Sequence, residues 1–189
     1  VASIPLVDVR PDARRVTVLG TMYWPPNIEG VLWLAETVWP RVLATVPEAV
    51  LTVIGKRPPA EILNGTARFG SSVQVTGYVA DPEPLLRETA VFAVPLLSGG
   101  GMRVKILDAW AWGLPVISTP IGAEGLYYRP GKDLLCATSP GDFAEGVIRL
   151  LGDPHARRAL VDNGRRLVEQ RYDATTNYGA LLDVYTPLW

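Results

Sequence analysis

The chain alternates between short runs of apolar, mostly β-branched residues and longer segments in which apolar residues recur every three or four positions. The short runs predict strands at residues 16–19, 50–54, 73–76, 91–94 and 116–118. The longer segments predict helices at residues 27–45, 60–67, 82–89, 102–112, 140–151, 154–171 and 174–185. Because continuously apolar strands separated by helices are buried on both faces, this pattern predicts a parallel sheet in an open α/β fold.

The predicted topology is a doubly wound, Rossmann-like sheet over residues 16–189 that ends in a helical C-terminal tail. We expect residues 1–15 to be a linker or a segment that enters the domain, since they hold prolines and charges and lack the pattern of a signal peptide. The chain begins without methionine, which fits a piece of a longer protein and a processed terminus equally well. In folds of this class ligands bind beyond the carboxyl ends of the strands, so the loops there are the candidate sites.

Composition and charge exclude several classes of function. The 189 residues include 18 lysines and arginines against 19 aspartates and glutamates, so no overall positive field favours nucleic acid or an anionic membrane. No apolar run is long enough to span a bilayer. Cys136 and His155 are the only residues of their kinds, which excludes an internal disulfide, a four-cysteine zinc site and a histidine-rich metal cluster. A single cysteine favours a reducing compartment, and we expect a cytoplasmic protein.

The strongest candidate site is the segment 98–108, which lies between a predicted strand and a predicted helix. Its three consecutive glycines let backbone N–H groups approach a ligand, and the start of a helix adds partial positive charge. Arg103 and Lys105 follow directly, and charge-assisted hydrogen bonds from such groups contribute about 1.5–3 kcal/mol each. The segment therefore predicts a phosphate site. The alternative is an ordinary turn, followed by a solvated helical pair of Lys105 and Asp108.

Helical spacing places two sets of residues on neighbouring faces of the predicted helix 102–112. The apolar set predicts the core-facing stripe: Val104, Leu107, Ala111 and Leu114. The second set consists of Lys105, Asp108 and Trp112. Asp108 is expected about 9 Å along the axis from the start of the helix, at about 1.5 Å per residue. This distance suits a ligand with phosphates at the helix start and ribose hydroxyls farther along.

Other nucleotide motifs fail on their spacing. The dinucleotide pattern Gly-x-Gly-x-x-Gly is not completed from Gly99, because a valine stands at its last position, so NAD is disfavoured. The segment 125–133 lacks the spacing and the hydroxyl residue of a P-loop, and the chain has no Gly-x-Ser-x-Gly nucleophile elbow. Lys56 and Arg57 directly follow the second predicted strand. They either face the same crevice as Arg103 or are solvated.

Five segments of the chain form a pattern that is larger than the glycine loop. They are residues 20–27 (GTMYWPPN), 38–40 (VWP), 53–55 (VIG), 77–79 (GYV) and 99–116 (GGGMRVKILDAWAWGLPV). Together they resemble the C-terminal, donor-binding half of a group 1 (family 4) glycosyltransferase of GT-B fold. Such enzymes transfer a sugar from a nucleotide diphosphate sugar with retention at the anomeric carbon, usually without a metal, in a cleft between two Rossmann-like domains.

The resemblance implies roles for the matching residues. Arg103 and Lys105 correspond to the diphosphate ligands and carry the catalytic role, and Asp108 corresponds to the ribose carboxylate. Gly100 stands where the family has a glutamate near the donor sugar, so this carboxylate is missing and the sugar stays open. The other implied donor-binding residues are Gly20 and Thr21 in the turn after the first strand, Tyr78 and Val79 at the base, Lys56 as a further positive charge, and Gly99, Gly101 and Met102 of the glycine loop.

The resemblance also implies partners. It predicts a nucleotide diphosphate sugar as donor substrate and no metal or other cofactor. It predicts an N-terminal acceptor domain outside these 189 residues, through which any membrane contact would occur, so we expect the chain alone to bind nucleotide weakly and to transfer nothing. Two alternatives remain: an epimerase-like enzyme of the same fold, for which no acid and base residues stand out, and a noncatalytic α/β binding or interaction module, which the departures at Gly100 and Asp108 favour.

Overall fold

The computed structural model describes residues 4–10 and 12–172 of the chain. Within them, the strands form a six-stranded sheet, parallel throughout, in the order β3-β2-β1-β4-β5-β6. The strands are β1 (Arg15–Leu19), β2 (Val50–Ile54), β3 (Val73–Gly77), β4 (Thr89–Val94), β5 (Val116–Ser118) and β6 (Leu135–Cys136). The helices are α1 (Pro25–Trp33), α2 (Trp39–Thr45), α3 (Ala60–Ala67), α4 (Glu83–Leu86), α5 (Val104–Trp112), α6 (Pro140–Gly152) and α7 (Pro154–Arg171). The helix predicted at residues 174–185 lies outside the described residues.

Helices cover both faces of the sheet, which confirms the predicted doubly wound architecture. One hydrophobic cluster, which includes Trp39 and Phe143, packs α1, α2 and α6 against one face. A second cluster, which includes Trp110 and Leu167, packs α5 and α7 against the other face. The central strands β1 and β4 lie side by side, with β2 and β3 beyond one and β5 and β6 beyond the other. The winding direction reverses between these two strands, and such a reversal opens a ligand crevice at the carboxyl end of a sheet.

The single helix predicted at residues 27–45 is interrupted between α1 and α2. Residues Leu34–Val38 form a π turn, which closes with a hydrogen bond from the backbone N–H of Trp39 to the carbonyl of Leu34. The cause is Pro40, which has no backbone N–H and whose ring collides with the carbonyl four residues earlier in an α-helix. The wider π turn removes this collision and keeps the chain helical.

The core-facing stripe predicted for α5 is wrong in part. Val104 is 55% exposed, whereas Ile106 and Trp110 are buried. The helix begins two residues later than predicted, with Arg103 at its N-cap. Its buried face is set by α7, because Trp110 packs directly against Gly164, where an added Cβ would lie 2.4 Å from the indole ring. Only a glycine leaves room for this tryptophan, and the contact decides the rotation of α5.

Residues 4–10, which the sequence predicts to be a linker or an entering segment, lie against the domain. The backbone N–H of Val7 donates to the carbonyl of Trp112 at 2.8 Å, and that of Arg10 donates to the carbonyl of Arg87 at 2.9 Å. This segment therefore runs past the end of α5 and reaches the amino end of β1.

Candidate functional site

The glycine loop after β4 lies at the carboxyl edge of the sheet, beside the turn after β1. Gly99 has a φ of +94° and Gly101 a φ of +93°, a region that residues with a Cβ rarely adopt. Gly100 differs, since its φ is not positive, and an added Cβ there would meet no atom within 4 Å. The backbone conformation thus requires glycine on either side of Gly100, whereas position 100 itself faces open space where a ligand can approach.

The side chain of Arg103 binds the backbone of the glycine loop. Its side chain is 6% exposed, and its two terminal nitrogens donate to the carbonyls of Gly100 at 2.8 Å and of Gly99 at 2.6 Å. The guanidinium carbon lies 5.7 Å from the ring centre of Trp24. Its Nε is a buried donor that has no hydrogen-bond partner within the described part of the chain. Arg103 therefore shapes the loop and retains one unsatisfied donor.

Lys105 points from the first turn of α5 towards the turn after β1. Its ammonium group donates to Oδ1 of Asn27 at 2.9 Å. A Cβ added to Gly20 would lie 2.9 Å from the same Nζ, so glycine at that position lets the cation approach the backbone. Burial, and secondarily the positive charge of Arg103, lowers the pKa of Lys105 to about 8. The group is charged at neutral pH, in surroundings that disfavour the charge.

Asn27 is a site residue that the sequence interpretation missed. It is 5% exposed, and its Nδ2 donates to the carbonyl of Thr21 at 2.9 Å. The signal was present, because Asn27 precedes Val31 by four positions and therefore shares the buried face of α1. A carboxamide on an apolar helix face needs hydrogen-bond partners, and here both of its ends have them.

A cavity of about 410 Å³ opens in front of these groups. It is lined by Leu19, Gly20, Thr21, Tyr23, Trp24, Asn27 and Lys105. The structure thus brings together the predicted residues Gly20, Thr21 and Lys105, with Arg103 and Gly99 behind Trp24. Asp108 does not line this cavity.

Asp108 lies one turn farther along α5 than Lys105. Its side chain is half-buried, and this burial raises the pKa of its carboxyl group above the ordinary value. Within residues 4–10 and 12–172 its carboxylate has no hydrogen-bond donor, in contrast to the paired Asp133, to which Arg129 donates at 2.7 Å. A carboxylate of this kind is suited to accept hydrogen bonds from hydroxyl groups of a ligand.

Lys56 and Tyr78 meet on the neighbouring loops after β2 and β3. The Nζ of Lys56 lies 4.5 Å from the ring centre of Tyr78, and Tyr78 is 64% exposed. Val79 follows and is half-buried. Met102, at the far end of the glycine loop, is 52% exposed. These predicted residues share the carboxyl edge of the sheet with Lys105 but lie outside the cavity that it lines.

A larger cavity, of about 640 Å³, lies elsewhere, between residues 6–10 and α7. Its lining includes Arg10 and Pro115, which precede β1 and β5, so it belongs to the end of the sheet where the strands begin. Three of the arginines along it form ion pairs with carboxylates, as Arg158 does with Asp162 at 2.9 Å. We therefore place the candidate site in the smaller cavity at the carboxyl edge, where Lys105 has no carboxylate partner among residues 4–10 and 12–172.

In residues 4–10 and 12–172, no three histidine, cysteine, aspartate or glutamate side chains come close enough together to bind a metal ion. No helix in these ranges combines the length and the apolar character that crossing a membrane requires.

Comparison with known proteins gives consistent matches. Residues 13–153 match the family described as Glycosyl transferases group 1. The chain is 26% identical over 172 residues to an uncharacterized 44.6 kDa protein in the cps region of Klebsiella pneumoniae, with 88% of this chain and 44% of that protein covered. It is 24% identical over 189 residues to the phosphatidyl-myo-inositol mannosyltransferase of Mycolicibacterium smegmatis, with 97% and 48% covered. The chain spans about half the length of the curated relatives it matches.

A solved structure has the same fold. A mutant of S. aureus TarM, crystallised with fondaparinux, alpha-GlcNAc-glycerol and UDP, superposes with a TM-score of 0.77 at 15% sequence identity. The superposition covers 92% of this chain and 36% of TarM. The chain therefore corresponds to one part of that longer protein.

Proposed function

This chain belongs to the group 1 glycosyl transferases, and we propose that it is the donor-binding domain of a retaining member. In this proposal it binds a nucleotide diphosphate sugar at the carboxyl edge of its sheet, for hexosyl transfer to a glycan or a lipid-linked acceptor. The observation that carries the proposal is the pair of cations Arg103 and Lys105. Arg103 is buried and Lys105 half-buried at the start of α5, and both have neutral partners.

The diphosphate is the group that these cations fit. A buried positive charge without a carboxylate partner costs free energy, which an anionic ligand offsets. The Lys105 ammonium supplies donors for phosphate oxygens, the guanidinium of Arg103 adds positive charge beside it, and the open backbone at Gly100 lets the ligand approach. The UDP present in the TarM complex is a ligand of this chemical class.

The rest of the donor follows the edge of the sheet. Asp108 is offset from Lys105 by three residues of helix, about 4.5 Å along the axis, and its unpaired carboxylate accepts the ribose hydroxyls. Tyr78 and Val79 hold the base, with Lys56 beside them. The sugar lies towards Gly100, where the chain offers no carboxylate, so the identity of the sugar depends on other groups.

Transfer breaks the bond between the anomeric carbon and the β-phosphate oxygen, and the electron pair stays on that oxygen. The anomeric carbon forms its new bond to an acceptor hydroxyl oxygen, and the proton of that hydroxyl passes to the released diphosphate. Arg103 and Lys105 stabilise the negative charge that develops there, in a partly dehydrated site where such interactions are strong. These fixed cations take the part that a metal ion has in other transferases, so we propose a metal-free reaction. An acceptor domain from outside these residues completes the cleft, and the chain alone binds nucleotide weakly and transfers nothing. We place the protein in the cytoplasm.

Calorimetric titration of the chain with UDP and GDP tests the proposal. We expect one of the two to bind, and Arg103→Ala to abolish the binding. Asp108→Asn has a sharper prediction: wild type prefers the ribonucleotide to its 2′-deoxy form, whereas the variant binds both equally, because only the ribose hydroxyl reaches the carboxylate. Lys132→Met, which removes an exposed cation from another loop, is the control for net charge. If the folded wild type binds neither nucleotide, the chain is a noncatalytic module instead.

A further inference from the structure

Asn27 connects three elements of the site through one carboxamide. It lies in the first turn of α1. Its Oδ1 accepts a hydrogen bond from the ammonium group of Lys105 on α5, and its Nδ2 donates one to the carbonyl of Thr21 in the turn after β1. A Cβ on Gly20 would lie 2.8 Å from Nδ2 and 2.9 Å from the Lys105 Nζ. The hydrogen bonds therefore fix the orientation of the carboxamide and hold the ammonium against the backbone of Gly20, in the turn after β1.

The charge of Lys105 is not compensated by this contact. The charged and titratable groups that share its surroundings are Arg103 and Asp108 on α5 and Tyr23 on the turn after β1. Of these, the positive charge of Arg103 disfavours the protonated form of Lys105. Lys105 forms no ion pair with Asp108 or any other carboxylate in the part of the chain that the structure describes. The partner that fixes the ammonium is thus neutral.

An aspartate at position 27 would occupy the same space, because it is nearly isosteric with asparagine and could accept the same hydrogen bond. It would also neutralise Lys105 and place a negative charge beside the incoming phosphates. A neutral acceptor avoids both effects, since it orients the cation without removing its charge. The two side chains therefore differ in charge and hardly in shape, and we expect the difference to appear in the affinity for the ligand.

We propose that Asn27 is a positioning residue of the donor site, which holds the Lys105 ammonium in place through a neutral acceptor and so keeps its charge available for the diphosphate. This inference rests on the proposed function. It adds a residue outside the glycine loop, and it explains why a buried carboxamide occupies the apolar face of α1.

The test compares Asn27→Asp with the wild type in two measurements. The first is calorimetric titration with UDP, GDP and inorganic pyrophosphate at pH 7, in which we expect at least about a tenfold loss of affinity, since one charge-assisted contact is neutralised. The second is NMR titration of lysine side chains, which is readable because the chain has three lysines, Lys56, Lys105 and Lys132. We expect the Lys105 midpoint to move upward from about 8 in the variant, because a carboxylate favours the ammonium form.

The matched control is Asn64→Asp, the same substitution at an exposed position of α3. It changes the net charge equally, and we expect it to alter neither measurement. An Asn27→Asp variant that is folded, shows the raised Lys105 midpoint and binds as tightly as the wild type overturns the positioning role while the proposed function stands. An unchanged midpoint overturns the contact on which the role depends. A folded wild type that binds none of the three probes overturns the proposed function and this role with it.

Discussion

The cationic side chains at the two ends of the sheet have different kinds of partner. Where the strands begin, the side chain of Arg15 is 13% exposed and forms an ion pair with Glu88 at 2.8 Å, with a further hydrogen bond to Gln74 at 3.0 Å. Where the strands end, Arg103 is buried and Lys105 is half-buried, but their partners are the carbonyls of the glycine loop and the carboxamide of Asn27.

Under the proposed function, this difference separates charges that stabilise the fold from charges that a ligand would compensate. The charge of Arg15 is compensated by Glu88 within the chain, so this ion pair contributes to the stability of the fold and needs no ligand. Uncompensated cations lower the stability of the unliganded chain and therefore persist where a function requires them. Substitutions at the two ends of the sheet should accordingly separate into effects on stability and effects on nucleotide affinity.

The largest expected effect is that of Arg103→Met. It removes the cation and also the two hydrogen bonds that shape the glycine loop, so we expect the affinity for the preferred nucleoside diphosphate to fall by about 100-fold or more. Calorimetric titration measures the loss. Arg15→Met is the matched change at the other end, where we expect lower thermal stability and unchanged affinity. Equal affinity losses in the two variants would remove the distinction between the ends.

Lys105→Met should lower the same affinity by about tenfold, since one charge-assisted contact is lost. We expect its free energy of unfolding at pH 7 to rise by at most about 3 kcal/mol, because a cation with a lowered pKa no longer has to be buried. Denaturant unfolding measures this change. Lys132→Met is the control at an exposed position, and a Lys105→Met variant that is less stable than it would contradict the assignment.

Raising the pH should lower the nucleotide affinity and raise the free energy of unfolding. The folded pKa of Lys105, about 8, lies below the ordinary value of about 10.4. Above pH 8 the folded chain loses the ammonium proton, so we expect nucleotide affinity to fall by several-fold between pH 7 and pH 9. Between about pH 8 and pH 10 the unfolded chain binds more protons, so the contribution of Lys105 to stability rises with pH. Lys105→Met should show neither change. A wild-type affinity that is constant from pH 7 to pH 9 would exclude this titration.

The smallest effect is expected from Glu88→Gln. The carboxylate of Glu88 is partly exposed, so the lost ion pair with Arg15 should lower the free energy of unfolding by about 1 kcal/mol or less. We expect no change in nucleotide affinity, because the pair lies at the opposite end of the sheet. Thermal unfolding and calorimetry on the same sample measure both quantities, and a clear loss of affinity would show that the two ends are coupled.

The fold was largely predictable from local pattern. The strand at Val50–Ile54 and the helices at Ala60–Ala67 and Pro154–Arg171 have the predicted bounds. Each is a continuous segment of one periodicity that ends at a glycine, a proline or a change of pattern. The strand β6 was not predicted, because two residues are too few to show a period.

The site was predictable only in part. The glycine loop, Arg103 and Lys105 were identified because residue type and position between strand and helix indicate an anion site. Asn27 was missed, since its role depends on Lys105, which is 78 positions away in the chain. The sequence also did not show which predicted residues line the cavity and which, like Lys56 and Tyr78, lie outside it, because this depends on how neighbouring loops pack.

The sequence by itself determined the order of the predicted strands and helices, the edge of the sheet where the candidate site lies and the residue types of the loop there. These follow from short-range periodicity and from the parallel connection of buried strands. The tertiary structure alone decided which face of α5 is buried, through Trp110 against Gly164, and which partner the Lys105 ammonium meets. Both depend on contacts between segments far apart in the chain, and local pattern carries no information about such contacts.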